Sequence, residues 1–162
     1  MTTDAQTDLD KVRAQEKLLV FEKFDEADAW RLGNLIRDAV AADDESVLVD
    51  IREGDNALFV SAMPGTTAEN ANWARRKRNL VHLTGESSYA TGLQVKLGLD
   101  PFAAGYNETD HAWHGGCFPI RLQDGSLVAT VTVSGLPQRE DHRVVTVAIA
   151  EFLGLDLGDA AL

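Results

Sequence analysis

The strongest chemical signal in this sequence is a run of four basic residues, Arg75–Arg78, in a chain whose formal net charge is −11. On a helix, four consecutive side chains point around a full turn, so they cannot share one face. Lys77 falls on the side that also carries Trp73 and Leu80, and we expect that side to be partly buried. A buried lysine needs a carboxylate partner or an anion. Two interpretations follow: a solvated helix that pairs with acidic residues elsewhere, or a pocket or subunit contact at Lys77.

A second signal is the histidine set, because a haem iron needs only one axial ligand and a histidine can supply it. His114 is the first candidate, since it precedes Gly115 and Gly116, whose missing side chains let a flat ligand or a backbone segment come close. His142, in the first turn of the last predicted helix, is the second. A hydrogen-bonded structural histidine is the alternative at both positions. No Cys-x-x-Cys-His motif occurs, so covalent attachment of haem is excluded.

The same region offers a set of metal-binding residue types. His111, His114 and Cys117 follow one another at intervals of three residues and carry imidazole and thiol groups, which borderline metals accept. The spacing matches no standard zinc pattern, and a single cysteine on a strand is usually a small buried hydrophobic residue. We therefore predict no metal site and keep these three residues as the candidates if a metal is bound.

Polar residues also gather where a strand is predicted to run into the last helix: Ser134, Gly135, Asp141 and His142, with Ser87-Ser88 as further members of the cluster. Helix N-termini attract anions, although Asp141 supplies negative charge internally. A Ser-His-Asp triad is rejected, because no nucleophile elbow or oxyanion signature is present and adjacent helical residues point to different sides. The plainer interpretation is that Ser134 and Asp141 cap the turn and the helix end.

The elements that must position these residues follow from local patterns. Residues 126–134 are β-branched or small on both faces, which predicts a largely buried strand. Pro137 fits the first position of a helix over residues 137–153. Hairpins are predicted over 47–63 and 117–134. The other predicted elements are helices over residues 9–19, 25–42, 66–83 and 87–98 and a short strand within 18–24. Two hairpins separated by helices favour an α+β domain with a central antiparallel sheet flanked by helices.

Composition bounds the class of protein and its partners. A chain of 162 residues with 44% hydrophobic residues is long enough for one domain with its own core. The net charge of −11 argues against sequence-independent binding to nucleic acid and against docking on anionic lipid. No apolar run approaches the ~20 residues of a membrane span, no signal peptide is visible, and a single cysteine suits a reducing compartment. We expect a cytoplasmic protein with no nucleic-acid or membrane partner.

Four motifs in order connect the chain to a known family. They are Val133–Gln138 followed by Asp141-His142; Asn72-Trp73 followed by Arg76–Asn79; Ser87-Ser88; and Gly115–Ile120. Over roughly residues 18–153 the sequence resembles the haem-degrading-domain (GlcG/HbpS-like) family, and most of all its uncharacterised branch of small cytosolic proteins. The resemblance implies a profilin-like sheet between helices and a symmetric homo-oligomer built from dimers. It also aligns Lys77 with a lysine of the family's helix.

We therefore predict an N-terminal helical extension over residues 1–17 and a single GlcG/HbpS-like domain over 18–162. The predicted function is small-ligand binding by an oligomer, with haem or a related tetrapyrrole as the candidate cofactor and no reaction assigned. The candidate ligand-binding residues are Arg76, Lys77, Ser87, Ser88, His114, Gly115, Gly116, Ser134 and His142. No dinucleotide fingerprint or P-loop occurs.

The alternative function is a non-catalytic homo-oligomer that acts as a scaffold for partner proteins. Trp30, Phe102, Tyr106 and Trp113 stand in or near predicted loops, and aromatic residues are enriched at the centres of protein interfaces. Residues 100–116 form a long predicted loop, and loops of that length are often functional or covered by a partner. The two functions are compatible, because ligand pockets often lie between subunits.

Overall fold

The computed structural model describes residues 4–162. The helices are α1 (Asp4–Leu18), α2 (Glu26–Ala42), α3 (Ala68–Thr84), α4 (Ser88–Lys96) and α5 (Gln138–Leu153), followed by a 3-10 turn at Gly158–Ala160. The strands are β1 (Leu48–Glu53), β2 (Asn56–Ala62), β3 (Cys117–Arg121) and β4 (Leu127–Ser134). None of the helices in the described chain has both the length and the apolar character needed to cross a membrane.

The four strands form one sheet in the order β2-β1-β4-β3, and every neighbouring pair is antiparallel. Both hairpins form as predicted, and β1 pairs with β4 so that Val49 lies opposite Val133. The predicted α+β class, a central antiparallel sheet flanked by helices, is therefore confirmed. Because β4 lies inside the sheet, the point where it ends and α5 begins is held by strands on both sides.

The two faces of the sheet differ in chemistry. One face carries apolar side chains such as Ile51, Phe118 and Val131, which pack against α2 and α5 in the main hydrophobic core. The other face carries Asp50, Thr130 and other polar residues, all buried, and α3 covers it. This alternation follows from the period of two along a strand. The buried polar layer is where the basic α3 meets the sheet.

Two predicted boundaries were wrong. The first helix already includes Asp4 and so extends before the predicted start at residue 9. Its early turn is held in place because Ala5 packs against a second small core formed with residues of α4. The short strand predicted within residues 18–24 is reduced to one bridge, in which Phe21 pairs with Leu122. The chain there turns at once into α2, whose N-cap is Asp25 with a reciprocal capping box at Asp28, so no longer strand can form.

His142 lies at the centre of the packing between α1, α4 and α5. It is fully buried, its ring lies 5.1 Å from the ring of Tyr89 and 5.9 Å from that of Phe118, and its Nε2 is 2.7 Å from Gln15 Oε1. Gln15 Nε2 donates to the Ala160 carbonyl at 2.8 Å, so the pair joins α5 to α1 and to the C-terminal turn. Burial lowers the pKa of His142 to about 3, and the imidazole is therefore neutral.

We predict that His142 makes stability fall as the pH falls. Below pH 6.5 the imidazole of the unfolded chain takes up a proton that the folded protein, with a pKa of about 3, does not bind. Stability is therefore fully present above about pH 6.5 and is lost toward pH 3, at a slope of at most ~1.4 kcal/mol per pH unit. In urea titrations between pH 7 and 4, His142→Leu should lose stability less steeply than the unaltered protein.

Glu16 and Asp141 also change stability with pH. Burial raises their pKa values to about 7 and about 6, so their contribution to stability falls as the pH rises, opposite to that of His142. Both residues are present in the variant and in the unaltered protein, so the difference between the two slopes reports His142. His82→Leu, an exposed substitution on α3, is the control and should keep the slope of the unaltered protein. Equal slopes in His142→Leu and the unaltered protein would contradict the prediction.

Candidate functional site

A cavity of about 280 Å3 opens where β4 ends, at the corner between α3, the loop after α4 and the start of α5. It is lined by Asn70, Trp73, Lys77, His114, Ser134, Gly135, Leu136, Gln138 and Asp141. Three of the predicted ligand-binding residues, Lys77, His114 and Ser134, are thus brought together from elements that are far apart in the sequence. Mixed apolar and polar walls of this kind are typical of small-molecule sites.

The floor of the cavity is a buried ion pair. Lys77 Nζ lies 3.1 Å from Asp141 Oδ2, and the two side chains are only 4% and 3% exposed. Lys77 Nζ also donates to the Val133 carbonyl at 3.2 Å. The sequence expectation that Lys77 is buried and has a carboxylate partner is met by a residue of α5. Burial raises the pKa of Asp141 to about 6, although Lys77 and backbone N–H groups act to lower it.

The turn between β4 and α5 is closed by the same carboxylate. Pro137 is the N-cap of α5 and makes no side-chain capping hydrogen bond. The carboxylate of Asp141, in the first turn of the helix, takes this part instead. Asp141 Oδ1 accepts a hydrogen bond from the Leu136 N–H at 2.9 Å. Ser134 is buried at the cavity wall just before this turn. Asp141 therefore both caps the corner, as the sequence suggested, and neutralises Lys77.

The basic run on α3 holds the loop that carries His114. Arg75 forms an ion pair with Asp110 at 3.1 Å and donates to the Thr109 carbonyl at 2.8 Å. Arg76 donates to the His111 carbonyl at 3.3 Å. The basic run therefore serves both roles that the sequence left as alternatives. Arg75 pairs with an acidic residue, and Lys77 faces the cavity.

Glycines allow the end of this loop to lie directly on the core. A Cβ atom on Gly115 would collide with the Gln138 carbonyl oxygen, and one on Gly116 would collide with the Val133 carbonyl oxygen and lie 2.7 Å from Lys77 Nζ. The space left by the two missing side chains is thus filled by the protein itself. Gly115 and Gly116 do not line the cavity. Their close approach to the Gln138 and Val133 carbonyls fixes the position of the neighbouring His114.

His114 is a half-buried imidazole at the cavity wall. Its ring lies edge-on to Trp73, with 5.0 Å between the ring centres, and its Nδ1 is buried with no hydrogen-bond partner in the described chain. Burial lowers the pKa of His114, and the nearby positive charges of Lys77 and Arg76 lower it further. The Arg76 guanidinium itself lies 4.5 Å from the centre of the Trp73 ring. A neutral imidazole at this place can accept a proton or coordinate a metal.

The other predicted ligand-binding residues lie outside the cavity. Ser87 is the N-cap of α4, where its side chain accepts from the Ala90 N–H. Ser88 Oγ accepts from the Cys117 N–H at 3.1 Å and joins α4 to β3. His142 is sealed in the core against Gln15. The adjacent side chains of Asp141 and His142 point to different partners, as expected for neighbours on a helix.

The candidate metal residues do not form a cluster. Cys117 is fully buried, and burial raises the pKa of its thiol to about 12, so the thiolate that binds metals is disfavoured. His111 Nδ1 accepts a hydrogen bond from the Asn107 N–H at 3.1 Å. Across residues 4–162, no three or more His, Cys, Asp or Glu side chains are arranged to hold a metal ion.

Six cavity residues were absent from the predicted ligand-binding set, namely Asn70, Trp73, Gly135, Leu136, Gln138 and Asp141. The sequence marks Gly135 and Asp141 only as members of the polar cluster at the strand–helix junction. Trp73 had a usable signal, since it lies one helical turn before Lys77 on the same side of α3. Gln138 and Leu136 belong to the Val133–Gln138 motif and could have been included with Ser134. Asn70 and the role of Asp141 in the ion pair depend on contacts between distant parts of the chain.

A family model and individual relatives match this sequence over most of its length. A family model described as "Haem degrading protein HbpS-like" matches residues 24–150. A UPF0303 protein of Azotobacter vinelandii is 45% identical over 157 residues, which covers 96% of this chain and 95% of the relative. A UPF0303 protein of Acidobacterium capsulatum is 43% identical over 151 residues, covering 92% of each chain.

Solved structures share the fold. The crystal structure of the Ybr137w protein has a TM-score of 0.82 and 28% identity, covering 90% of this chain and 87% of that one. A structure named as a PduOC:heme complex has a TM-score of 0.64 at 18% identity, covering 78% and 93% of the two chains, so it supports the fold alone. With a matching family model over most of its length and close relatives along nearly all of it, the chain belongs to the HbpS-like haem-degrading protein family.

Proposed function

We propose that this chain binds a small ligand in the cavity between α3, the loop after α4 and the β4–α5 corner, with haem or a related tetrapyrrole as the first candidate. The observation that carries the proposal is the convergence of Lys77, His114 and Ser134 on that cavity. The family is named for haem degradation, and one structure of the same fold is named as a complex with haem. We assign no reaction.

The donor chemistry of the site suits haem. His114 supplies an imidazole whose pKa is lowered, and its buried Nδ1 has no hydrogen-bond partner in the described chain. A neutral imidazole is the form that coordinates iron. Trp73 provides a flat aromatic surface beside it. Lys77 lines the cavity and offers a charged N–H donor to an acidic substituent. When bound, haem would supply iron-centred redox or ligand chemistry, while these residues bind and orient it.

The size of the cavity limits how much of such a ligand one chain encloses. Its volume of about 280 Å3 is below the ~300–1,000 Å3 typical of sites for drug-sized molecules. A macrocycle held at His114 would therefore project beyond the rim. A second copy of the chain could cover the projecting part, and this supports the idea that the binding protein is a homo-oligomer built from dimers.

An exposed surface favours the second candidate function, a homo-oligomeric scaffold. Trp30 on α2 is 52% exposed and rests edge-on against Phe59, while Val60 on the other face of edge strand β2 is 49% exposed. An edge strand with unpaired backbone groups is a template for pairing with another chain. We propose that this surface, in which Trp30 and Val60 flank the free edge of β2 from the two faces of the sheet, mediates self-association.

We predict that His114 is required for haem binding. Titration with micromolar haem should produce a Soret band in the unaltered protein, and His114→Ala should lose it because the imidazole ligand is removed. His82→Ala is the matched control, since it removes an exposed imidazole from the end of α3, and it should bind haem like the unaltered protein. The proposal for haem is wrong if no spectral change occurs, or if His114→Ala gives the same change.

We also predict that the pKa of the His114 imidazole lies below 6.5. Its pKa is lowered from that value by burial and by the charges of Lys77 and Arg76. In an NMR titration of the ligand-free protein, with the resonance assigned from His114→Gln, the midpoint should lie below pH 6.5. A midpoint at or above that value would mean that the imidazole is exposed to solvent and not held against α3.

A further prediction concerns assembly through the surface formed by Trp30, Val60 and the β2 edge. Light scattering should show dimers or larger species for the unaltered protein, and Trp30→Ser should shift the distribution to smaller ones, because it removes the largest exposed apolar group there. Leu83→Ser changes a residue of similar exposure, 57%, at the end of α3 and should leave the distribution unchanged. A monomer at high concentration would exclude the scaffold.

A further inference from the structure

The cavity presents hydrogen-bond donors that the protein leaves unused, beginning with Lys77. A lysine ammonium has three N–H donors. Two of those on Lys77 go to Asp141 Oδ2 at 3.1 Å and to the Val133 carbonyl at 3.2 Å. No third acceptor is present among the described residues, and Lys77 lines the cavity. One charged donor is therefore available to a ligand.

Two amide side chains at the cavity wall, those of Gln138 and Asn70, also have hydrogen-bond donors that the protein leaves unused. Gln138 Oε1 accepts a hydrogen bond from the Gly115 N–H at 3.2 Å, and Asn70 Oδ1 accepts one from the Thr67 N–H at 2.9 Å as part of the α3 capping box. These contacts assign the carbonyl end of each amide. The NH2 groups of Gln138 and Asn70 have no acceptor in the described part of the chain, so they too are donors without partners.

The negative groups of the cavity, by contrast, are already engaged. Asp141 Oδ1 accepts from the Leu136 N–H, and Oδ2 is paired with Lys77. Arg76 forms no ion pair within residues 4–162, and its guanidinium lies 4.5 Å from the centre of the Trp73 ring at the wall. The charges of Lys77 and Asp141 balance, so the Arg76 guanidinium beside Trp73 gives this corner one positive charge within a strongly acidic chain. The corner also has a surplus of hydrogen-bond donors. Such a site suits a hydrogen-bond acceptor with negative charge.

We propose that the cavity binds small planar carboxylates, with the carboxylate held by Lys77, Gln138 and Asn70 and the flat apolar part against Trp73. A volume of about 280 Å3 holds roughly nine water molecules at ~30 Å3 each, so a ligand of about that number of non-hydrogen atoms fits, such as a one-ring carboxylate. This inference rests on the proposal that the cavity is the ligand site, but it does not depend on haem.

The test uses benzoate as the probe, with isothermal titration calorimetry and ligand-observed NMR on the full chain. Benzoate should bind the unaltered protein, and benzamide, its neutral analogue of similar shape, should bind at least ~10-fold more weakly because it lacks the charge. Gln138→Glu and Asn70→Asp should each weaken benzoate binding by about 10-fold or more. Both variants keep the oxygen that accepts the backbone hydrogen bond, so the fold contacts at Gly115 and Thr67 are retained.

Gln123→Glu makes the same change in the exposed β3–β4 turn and should leave the affinity for benzoate unaltered. The inference is overturned if benzoate does not bind, if benzamide binds equally well, or if the Gln138 and Asn70 variants bind like Gln123→Glu. Haem binding without benzoate binding overturns this inference alone. Benzoate binding without haem binding supports the cavity and overturns haem as its ligand. If neither binds, both proposals fail.

Discussion

The structure depends on the buried ion pair between Lys77 and Asp141. Burying two charges costs several kcal/mol per ion unless the pair is close and the remaining donors and acceptors are satisfied. Here the pair is almost fully enclosed, and each partner makes one further hydrogen bond, Lys77 to the Val133 carbonyl and Asp141 from the Leu136 N–H. The pair therefore fixes three elements, α3, the end of β4 and the start of α5, at one corner, and removing either charge would leave the other buried without a partner.

The ion pair belongs to a polar layer between α3 and the sheet. Arg78 reaches Asp50 at 3.4 Å, and Arg52 reaches the same carboxylate at 2.7 Å, while the apolar face of the sheet packs against α2 and α5. This division explains why an acidic protein concentrates basic residues on one helix. The apolar layer supplies most of the burial energy, whereas the polar layer sets the orientation of α3 and hence the shape of the cavity.

Local signals in the sequence predicted the elements well and the site only in part. The capping box at Asp25, the left-handed Gly85 after α3 and the turn before Ser126 act within a few residues, so a single sequence shows them. The burial of Lys77 also followed from helical spacing. Its partner, Asp141, lies 64 positions away, and no local rule selects it over the other acidic residues. For the same reason, sequence reasoning grouped His142 with His114, although one seals the core and the other faces the cavity.

The corner shows how one residue can serve both the fold and a ligand with different atoms. The carbonyl oxygens of Gln138 and Asn70 hold the His114 loop and the start of α3, and their NH2 groups are left for the cavity. Asp141 directs one oxygen to the Leu136 N–H and the other to Lys77, so it shapes the corner of the cavity. Truncation of such residues would disturb packing and recognition together. Replacing only the NH2 group, as in Gln138→Glu or Asn70→Asp, separates packing from recognition, because the oxygen that supports the fold is kept.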